Sequence, residues 1–328
     1  SHMSHHTIKT RYQALVQRTN RFPLGAPPSE LLYKILAILF TEREAHLVSQ
    51  VPIKPFTIEK AARIWDMRPD ETRALCDHLC EKGVLVDFGD APGALYALPP
   101  PMIGFFEFSL MRVRYDIDQK ALSELFHQYL VEEEDFARTL FVPGATQIGR
   151  ILVKEEALPA EPLQDNTLHV LDYERASHVV KTTSAIGVGL CCCRHKAAHL
   201  DQACEAPMEL CLTFNGGAES LIRHGLARRI DASECTDLLA TARAHNLVQF
   251  AENAQREVGF ICNCCGCCCD ALQAARRFGY LQPIAPANFL PTVDTPSCTG
   301  CGKCVQVCPV DALSLVSAHD PKRPKKRV

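Results

Sequence analysis

No stretch of this chain is both apolar enough and long enough to cross a bilayer. The longest candidate, "LLYKILAILF" from Leu31 to Phe40, falls short of a span and carries Lys34, which suits a packed helix of a soluble protein. A charged-then-apolar leader is missing as well. "SHM" reads as an expression scar ahead of Met3, and the expected compartment is the cytoplasm, with no membrane partner. Charge of one sign is not in excess. The formal net charge of -3 gives no general attraction to nucleic acid or anionic lipid, and the basic tail "PKRPKKRV" is a local feature. Phosphate-cradling glycine patterns are absent too: "NGGAES" (Asn215 to Ser220) has neither dinucleotide nor P-loop spacing, so flavin and nicotinamide are not expected. Cysteine is scarce before residue 190, where only Cys76 and Cys80 occur.

What is present is concentrated in the C-terminal half. Sixteen of the eighteen cysteines lie between Cys191 and Cys308. A reducing compartment disfavours disulfides, so metal ligation is the default reading for such a density of thiols. With 47% hydrophobic and 22% charged residues, the 328-residue chain can bury two or three cores.

The fold class expected is α+β, in three parts after a lead over 1–28: a helical and winged helix-turn-helix domain over 29–147, a mixed α/β cysteine-rich iron-sulfur domain over 148–285, and a ferredoxin-like segment over 286–328. Helices are predicted for Ser29 to about Phe40 and Thr41 to Gln50. Ile58, Ala61, Ala62 and Trp65 share a helical face, and Pro69 opens a second helix whose stripe is Thr72, Leu75, Cys76, Leu79 and Cys80. Gly83 stops it, and "VLVDF" and "ALYAL" flank a turn as a hairpin. Cys76 and Cys80 fit the helix core as small hydrophobes. "MIGFFEFSLMRV" and "QKALSELFHQYLVEEEDFARTLF" read as helices, with Glu132 to Asp135 a solvated face. "GRILV", "LHVLDY", "AIGVGL", "LVQFA" and "VGFIC" are strand candidates, "YERASHVVKTT" a helix, and Asp231 with Glu234 caps a helix bearing a core Cys235.

The firmest motif is "CTGCGKCVQVCPV". Cys298, Cys301, Cys304 and Cys308 have the C-x2-C-x2-C-x3-C-P spacing that wraps a 4Fe-4S cluster through thiolates, whereas zinc ribbons separate their C-x2-C pairs by a long gap. A second ferredoxin repeat does not follow. The expectation is that the chain was cut before it, which would deprive Cys308 of its usual cluster; otherwise Cys308 closes its own cluster or joins a neighbouring one.

Two further constellations precede it. In "GLCCCRHKAAHLDQACEAPMELCLTF", Cys191, Cys193, Cys204 and Cys211 supply four thiolates if the segment is extended, with Cys191 and Cys193 on one face and Cys192 on the other. His195 and His199 rank below the cysteines as ligands. In "ICNCCGCCCD", Cys262, Cys264, Cys265, Cys267, Cys268 and Cys269 are all candidates. Cys262, Cys265 and Cys268 have ferredoxin spacing, while Cys262 and Cys264 mirror the pair Cys191 and Cys193. Each constellation could therefore hold its own cluster, or the two could pool ligands across neighbouring strands. Six thiols cannot all bind one cuboidal cluster, so the block serves two centres or leaves thiols free for chemistry. Two or three 4Fe-4S clusters are expected in all.

These motifs, in this order behind a winged-helix region, resemble the winged-helix-containing 4Fe-4S binding proteins of anaerobic and sulfur-metabolising bacteria, over about Glu30 to Val316. The resemblance is carried by the Cys-x-Cys-Arg of Cys191, Cys193 and Arg194, by "ICNCCGCCC", and by the ferredoxin run. It implies electron transfer and a redox protein partner, without defining a substrate. A small-molecule substrate and a homodimer are left open. A reductase using a spare thiol such as Cys192 or Cys267, and a redox-sensing transcriptional regulator, are the alternatives. DNA is not expected, because Asp70, Glu71, Asp77 and Glu81 outnumber Arg73 and Lys82 on the would-be recognition helix.

Overall fold

The computed structural model describes residues 2–90, 92–141, 149–158, 174–254, 256–279, 284–285, 292–294, 296–309 and 311–316. The chain opens with α1 (His2–Thr19), a helix that the sequence pattern did not reveal. It buries Tyr12, Leu15 and Val16, and the Tyr12 hydroxyl donates to Phe40 O at 2.9 Å. Next come α2 (Glu30–Leu39), capped by Ser29, and α3 (Glu42–Gln50), where Thr41 and Glu44 form a reciprocal capping box. The apolar face of α2 packs into the same core through Leu32, Ile35, Leu36 and Leu39.

The helices α4 (Ile58–Trp65) and α5 (Pro69–Glu81) flank a turn in which Asp66 adopts a left-handed conformation. A hairpin of β1 (Val86–Phe88) and β2 (Leu95–Ala97) follows, extended by a bridge between Phe56 and Tyr96. Cys76 and Cys80 lie in this core, and burial pushes the Cys76 thiol up to about 12.

Two long helices expected from the sequence are broken. Over "MIGFFEFSLMRV" the described chain has only the short α6 (Phe106–Phe108), because Ile103 takes a positive φ and Gly104 is extended. The next segment divides at Glu133, whose extended backbone separates α7 (Gln119–His127) and its following wide turn from α8 (Glu134–Phe141). Phe105, Phe106, Phe126, Tyr129 and Phe136 are in ring contact through this region. Burying that cluster outweighs the continuity of a single helix.

The second half is organised around one sheet. Its elements in chain order are β3 (Gly149–Ile151), α9 (Ala176–Thr182), β4 (Ile186–Leu190), α10 (Cys192–His199), β5 (Glu209–Phe214), α11 (Asn215–Arg223), β6 (Arg228–Ile230), α12 (Ala232–Ala244), β7 (Val248–Glu252), β8 (Phe260–Cys264), α13 (Asp270–Phe278), β9 (Ile284–Ala285) and α14 (Lys303–Val307). The strand order is β6-β4-β5-β8-β7-β3-β9, antiparallel throughout except for the parallel pair β3 and β9. "LHVLDY" lies outside the described residues.

Side chains alternate across these strands, so each strand has an oily face and a face for the site. Ile186, Val188, Leu212, Phe214 and Ile261 join α9 and α12, including Cys235, in one core. The opposite face turns Cys211, Cys262 and Cys264 toward the N-terminal half. There β4 has glycine where other strands have side chains: a Cβ on Gly189 would meet Met111 Cε at 2.8 Å and Leu226 O at 3.2 Å. That close approach brings loop 109–112 against the sheet, where Leu190 N donates to Met111 O at 2.9 Å.

Candidate metal centres

β4, β5 and β8 are neighbours, and their register brings the cysteines together. The bulge after Gly189 carries β4 into Cys191, which precedes α10; Cys211 sits on β5; Cys262 and Cys264 stand two apart on β8. The extended Cys191–Cys193 segment predicted from sequence is not formed, because the chain turns into α10 at Cys192. Cys193 nonetheless stays close enough to help raise the Cys191 thiol, after burial itself, while Cys192 packs beside Cys193 at 3.9 Å and against the helical core.

Cys211 lies beside Cys262, Cys262 beside Cys264, Cys264 beside Cys269, and Cys269 beside Cys193, each near enough to shift its neighbour's thiol. Cys191, Cys193, Cys211, Cys262, Cys264 and Cys269 thus make one group at the strand ends, with Cys211 and Cys269 buried and the other four half-buried. Cys262 is held well below its ordinary value by the neighbouring Cys211 and Cys264 thiols, and Cys211 is raised correspondingly. A thiolate is already favoured there, as metal ligation requires.

A second group assembles from the turn after β8. Cys204, Cys265, Cys267 and Cys268 place their sulfurs all within 4.8 Å of one another. Cys204 and Cys265 are 3.7 Å apart, as are Cys267 and Cys268. This division corrects two expectations. Cys204 does not join Cys191, Cys193 and Cys211, and Cys262 is not grouped with Cys265 and Cys268 despite their ferredoxin spacing. Strand alternation sends Cys262 and Cys264 to the sheet face, and the chain leaves the strand at Cys265. The sheet places the strand-end pair Cys262 and Cys264 next to the Cys191–Cys193 segment.

Arg194 lies between the two groups and is fully buried. Its guanidinium donates to Pro207 O at 2.6 Å and Asn263 O at 2.5 Å. Burial would lower its affinity for the proton, but the neighbouring Cys191 and Cys265 sulfurs keep it firmly charged. Lys196, two residues along, forms a buried ion pair with Asp270, and the Cys193 thiol approaches Asp270 Oδ2 at 3.7 Å. A cavity of about 20 Å³ adjoins them, lined by Glu107, Cys192, Cys193, Lys196 and Asp270 among others. Burial raises Glu107 to about 8, against opposing hydrogen bonds from backbone amides including that of Gly104. Sequence reasoning noted Arg194 within Cys-x-Cys-Arg but missed Lys196, Asp270 and Glu107. Charged residues directly beside Cys193 and Cys269 were the available signal. His195 instead pairs its Nδ1 with Leu110 O at 2.8 Å, away from the thiols.

The ferredoxin run forms a turn. Gly300 and Gly302 have φ of 69° and 77°, Gly302 leads into α14, and Cys301 and Cys304 are exposed. Backbone amides already point at sulfur: Gly300 N to Cys298 Sγ and Ala312 N to Cys308 Sγ, both at 3.3 Å. Amide donors of this kind stabilise the thiolate ligands of an iron-sulfur cluster, so the residues fit the group. Residues 291–314 match the family described as 4Fe-4S binding domain. The chain carries a 4Fe-4S binding domain. Over 35 residues it is 49% identical to a subunit of the ion-translocating oxidoreductase complex of Escherichia coli (strain K12), covering 11% of this chain and 18% of that protein. The corresponding protein of Citrobacter koseri is 50% identical over 32 residues, covering 10% of this chain and 17% of the relative. The chain therefore spans less than a fifth of the length of these relatives. No solved structure matches it.

The 4Fe-4S domain touches the turn that carries Cys265 and Cys267. Gly266, between Cys265 and Cys267, faces Pro309 so closely that a Cβ would lie 2.2 Å from Pro309 O. Arg276 on α13 clamps the contact, donating to Gly266 O at 3.2 Å and pairing with Asp311.

Proposed function

We propose that this chain is an iron-sulfur electron-transfer protein of a reducing compartment, the cytoplasm. Electrons enter or leave through the exposed cluster held by Cys298, Cys301, Cys304 and Cys308 and exchange with a cluster on the strand-end cysteines. The carrying observation is the seat of Pro309, next to the ligand Cys308, on Gly266 inside the cysteine block. A bound cluster supplies one-electron chemistry. The protein's own contribution is to hold thiolates, exclude water and offset charge through Arg194 and Lys196. The relatives are subunits of an oxidoreductase complex, which supports a redox protein as partner.

A reductase for a small molecule is less well supported. The cavity beside Cys192 and Cys193 has room for about one water. The regulator reading meets two obstacles. Asp77 accepts from the Tyr96 hydroxyl at 2.7 Å, and Lys82, the basic group at the end of α5, pairs with Glu44 at 2.6 Å, so the helix offers little positive charge. The hairpin that would act as the wing is engaged too: Asp87 pairs with Arg223 at 2.6 Å and its amide donates to Ser220 at 3.0 Å. We read the winged-helix region as a scaffold on which the sheet docks.

The test is an anaerobic redox titration followed by EPR on the full chain and on Cys301→Ser. The expected result is a reducible signal lost in the variant while a second signal persists. Protein lacking acid-labile sulfide, or with no reducible centre, would overturn the reading.

A further inference from the structure

The tight group of cysteines has a geometry of its own. A tetrahedral ion with metal-sulfur bonds of about 2.3 Å spaces its four ligands about 3.8 Å apart along each edge. The sulfurs of Cys204 and Cys265 and of Cys267 and Cys268 are 3.7 Å apart, and all four fall within 4.8 Å. A cuboidal cluster sets each thiolate one bond outside a tetrahedron of four irons and needs a wider ring. Cys298, Cys301, Cys304 and Cys308, where a 4Fe-4S domain is matched, do not gather within that limit, although all four are described. The strand-end cysteines, all described, do not gather within it either. Two kinds of spacing therefore coexist in one chain.

We propose that Cys204, Cys265, Cys267 and Cys268 hold a single tetrahedral thiophilic cation, zinc or one iron, separate from the iron-sulfur clusters. The donor set suits it, since four soft thiolates in a tetrahedron select these metals. Four thiolates around a divalent ion leave a charge of two minus, and buried Arg194 faces Cys204 and Cys265 to offset part of it. The ion ties the loop between α10 and β5, which contributes Cys204, to the turn that follows β8. Metal binding supplies that link more strongly than the thiol contacts alone, since reduced thiols packed together gain little and oxidise readily. It also rigidifies the Cys265–Gly266–Cys267 turn on which Pro309 rests. A zinc ion would act as a staple, and an iron would add a one-electron step between the two clusters.

This site stands whether or not the electron-transfer reading does, and its test reads metal rather than activity. Zinc, iron and acid-labile sulfide are measured per chain in anaerobically purified wild type, Cys204→Ser, Cys267→Ser and, as reference, Cys301→Ser. Each of the first two variants should lose one metal atom and no sulfide, whereas Cys301→Ser should lose iron and sulfide in equal number. Whether zinc or iron disappears identifies the ion. Loss of sulfide with Cys204→Ser, or no loss of metal, would overturn the proposal. Should both variants fail to fold, X-ray absorption on wild type decides. If the centre holds zinc, a zinc-edge shell of four sulfurs with no metal neighbour is expected. If the chain is free of zinc, a total iron content one atom above that accounted for by the Mössbauer signals of its clusters is expected. Absence of both findings would overturn it.

Discussion

Replacing Gly266 by valine should lift the 4Fe-4S domain off the cysteine block without emptying either. A Cβ at this position would stand 2.2 Å from Pro309 O, 2.9 Å from its carbonyl carbon and 3.0 Å from its Cα. Non-bonded heavy atoms prefer about 3.5 Å, so the turn must retreat by about 1 Å. Overpacking of this kind costs about 1–3 kcal/mol. The tethers against it are modest: the hydrogen bond from Arg276 to Gly266 O is worth about 1 kcal/mol, and the exposed Arg276–Asp311 pair at most about 1 kcal/mol. A net loss of about 2 kcal/mol lowers the docked fraction relative to the undocked one roughly 30-fold. Two readouts follow it in the reduced protein. Magnetic coupling between the exposed cluster and the interior one should weaken, and protease cleavage around 292–297 should accelerate. Iron and sulfide content should match wild type, because no ligand is touched. Unchanged coupling together with unchanged protection would refute the claim that this contact joins the two halves of the relay.

Other substitutions probe the interior. Glu107 has its folded pKa raised to about 8 by burial, so the native state binds the extra proton and wild-type stability should fall as pH rises from about 4.5 to about 8. Glu107→Gln should remove that slope, matching wild type near pH 5 and exceeding it by a few kcal/mol near pH 8; parallel denaturation profiles for the two proteins would contradict the assignment. Arg194→Met leaves the carbonyls of Pro207 and Asn263 without their donor and the thiolates without their cation, a loss of about 3–5 kcal/mol in anaerobic guanidinium unfolding, with metal lost from both central groups.

Much of the chemistry could be read along the chain because it is local. The spacing of Cys298, Cys301, Cys304 and Cys308 is a property of one turn, and so is the cap at Asp231, whose side chain accepts from Glu234 N. Strand alternation at Cys262 and Cys264 was legible for the same reason. The partition of the central cysteines was not. Whether Cys204 belongs with Cys191 thirteen residues earlier or with Cys265 sixty-one residues later depends on strand order, and β5 and β8 become neighbours only when the sheet closes. Local spacing even misled, since Cys262, Cys265 and Cys268 keep ferredoxin intervals while a strand end divides them. The broken helices over 101–141 yielded to an aromatic cluster assembled from separated segments, and α1 owes its place to Tyr12, Leu15 and Val16 meeting a core made elsewhere. Residue types and intervals determined that this chain binds metal through thiolates. Which thiolates face one another, and how far apart, was decided by tertiary packing, because distances across a sheet are set by register and burial rather than by sequence separation.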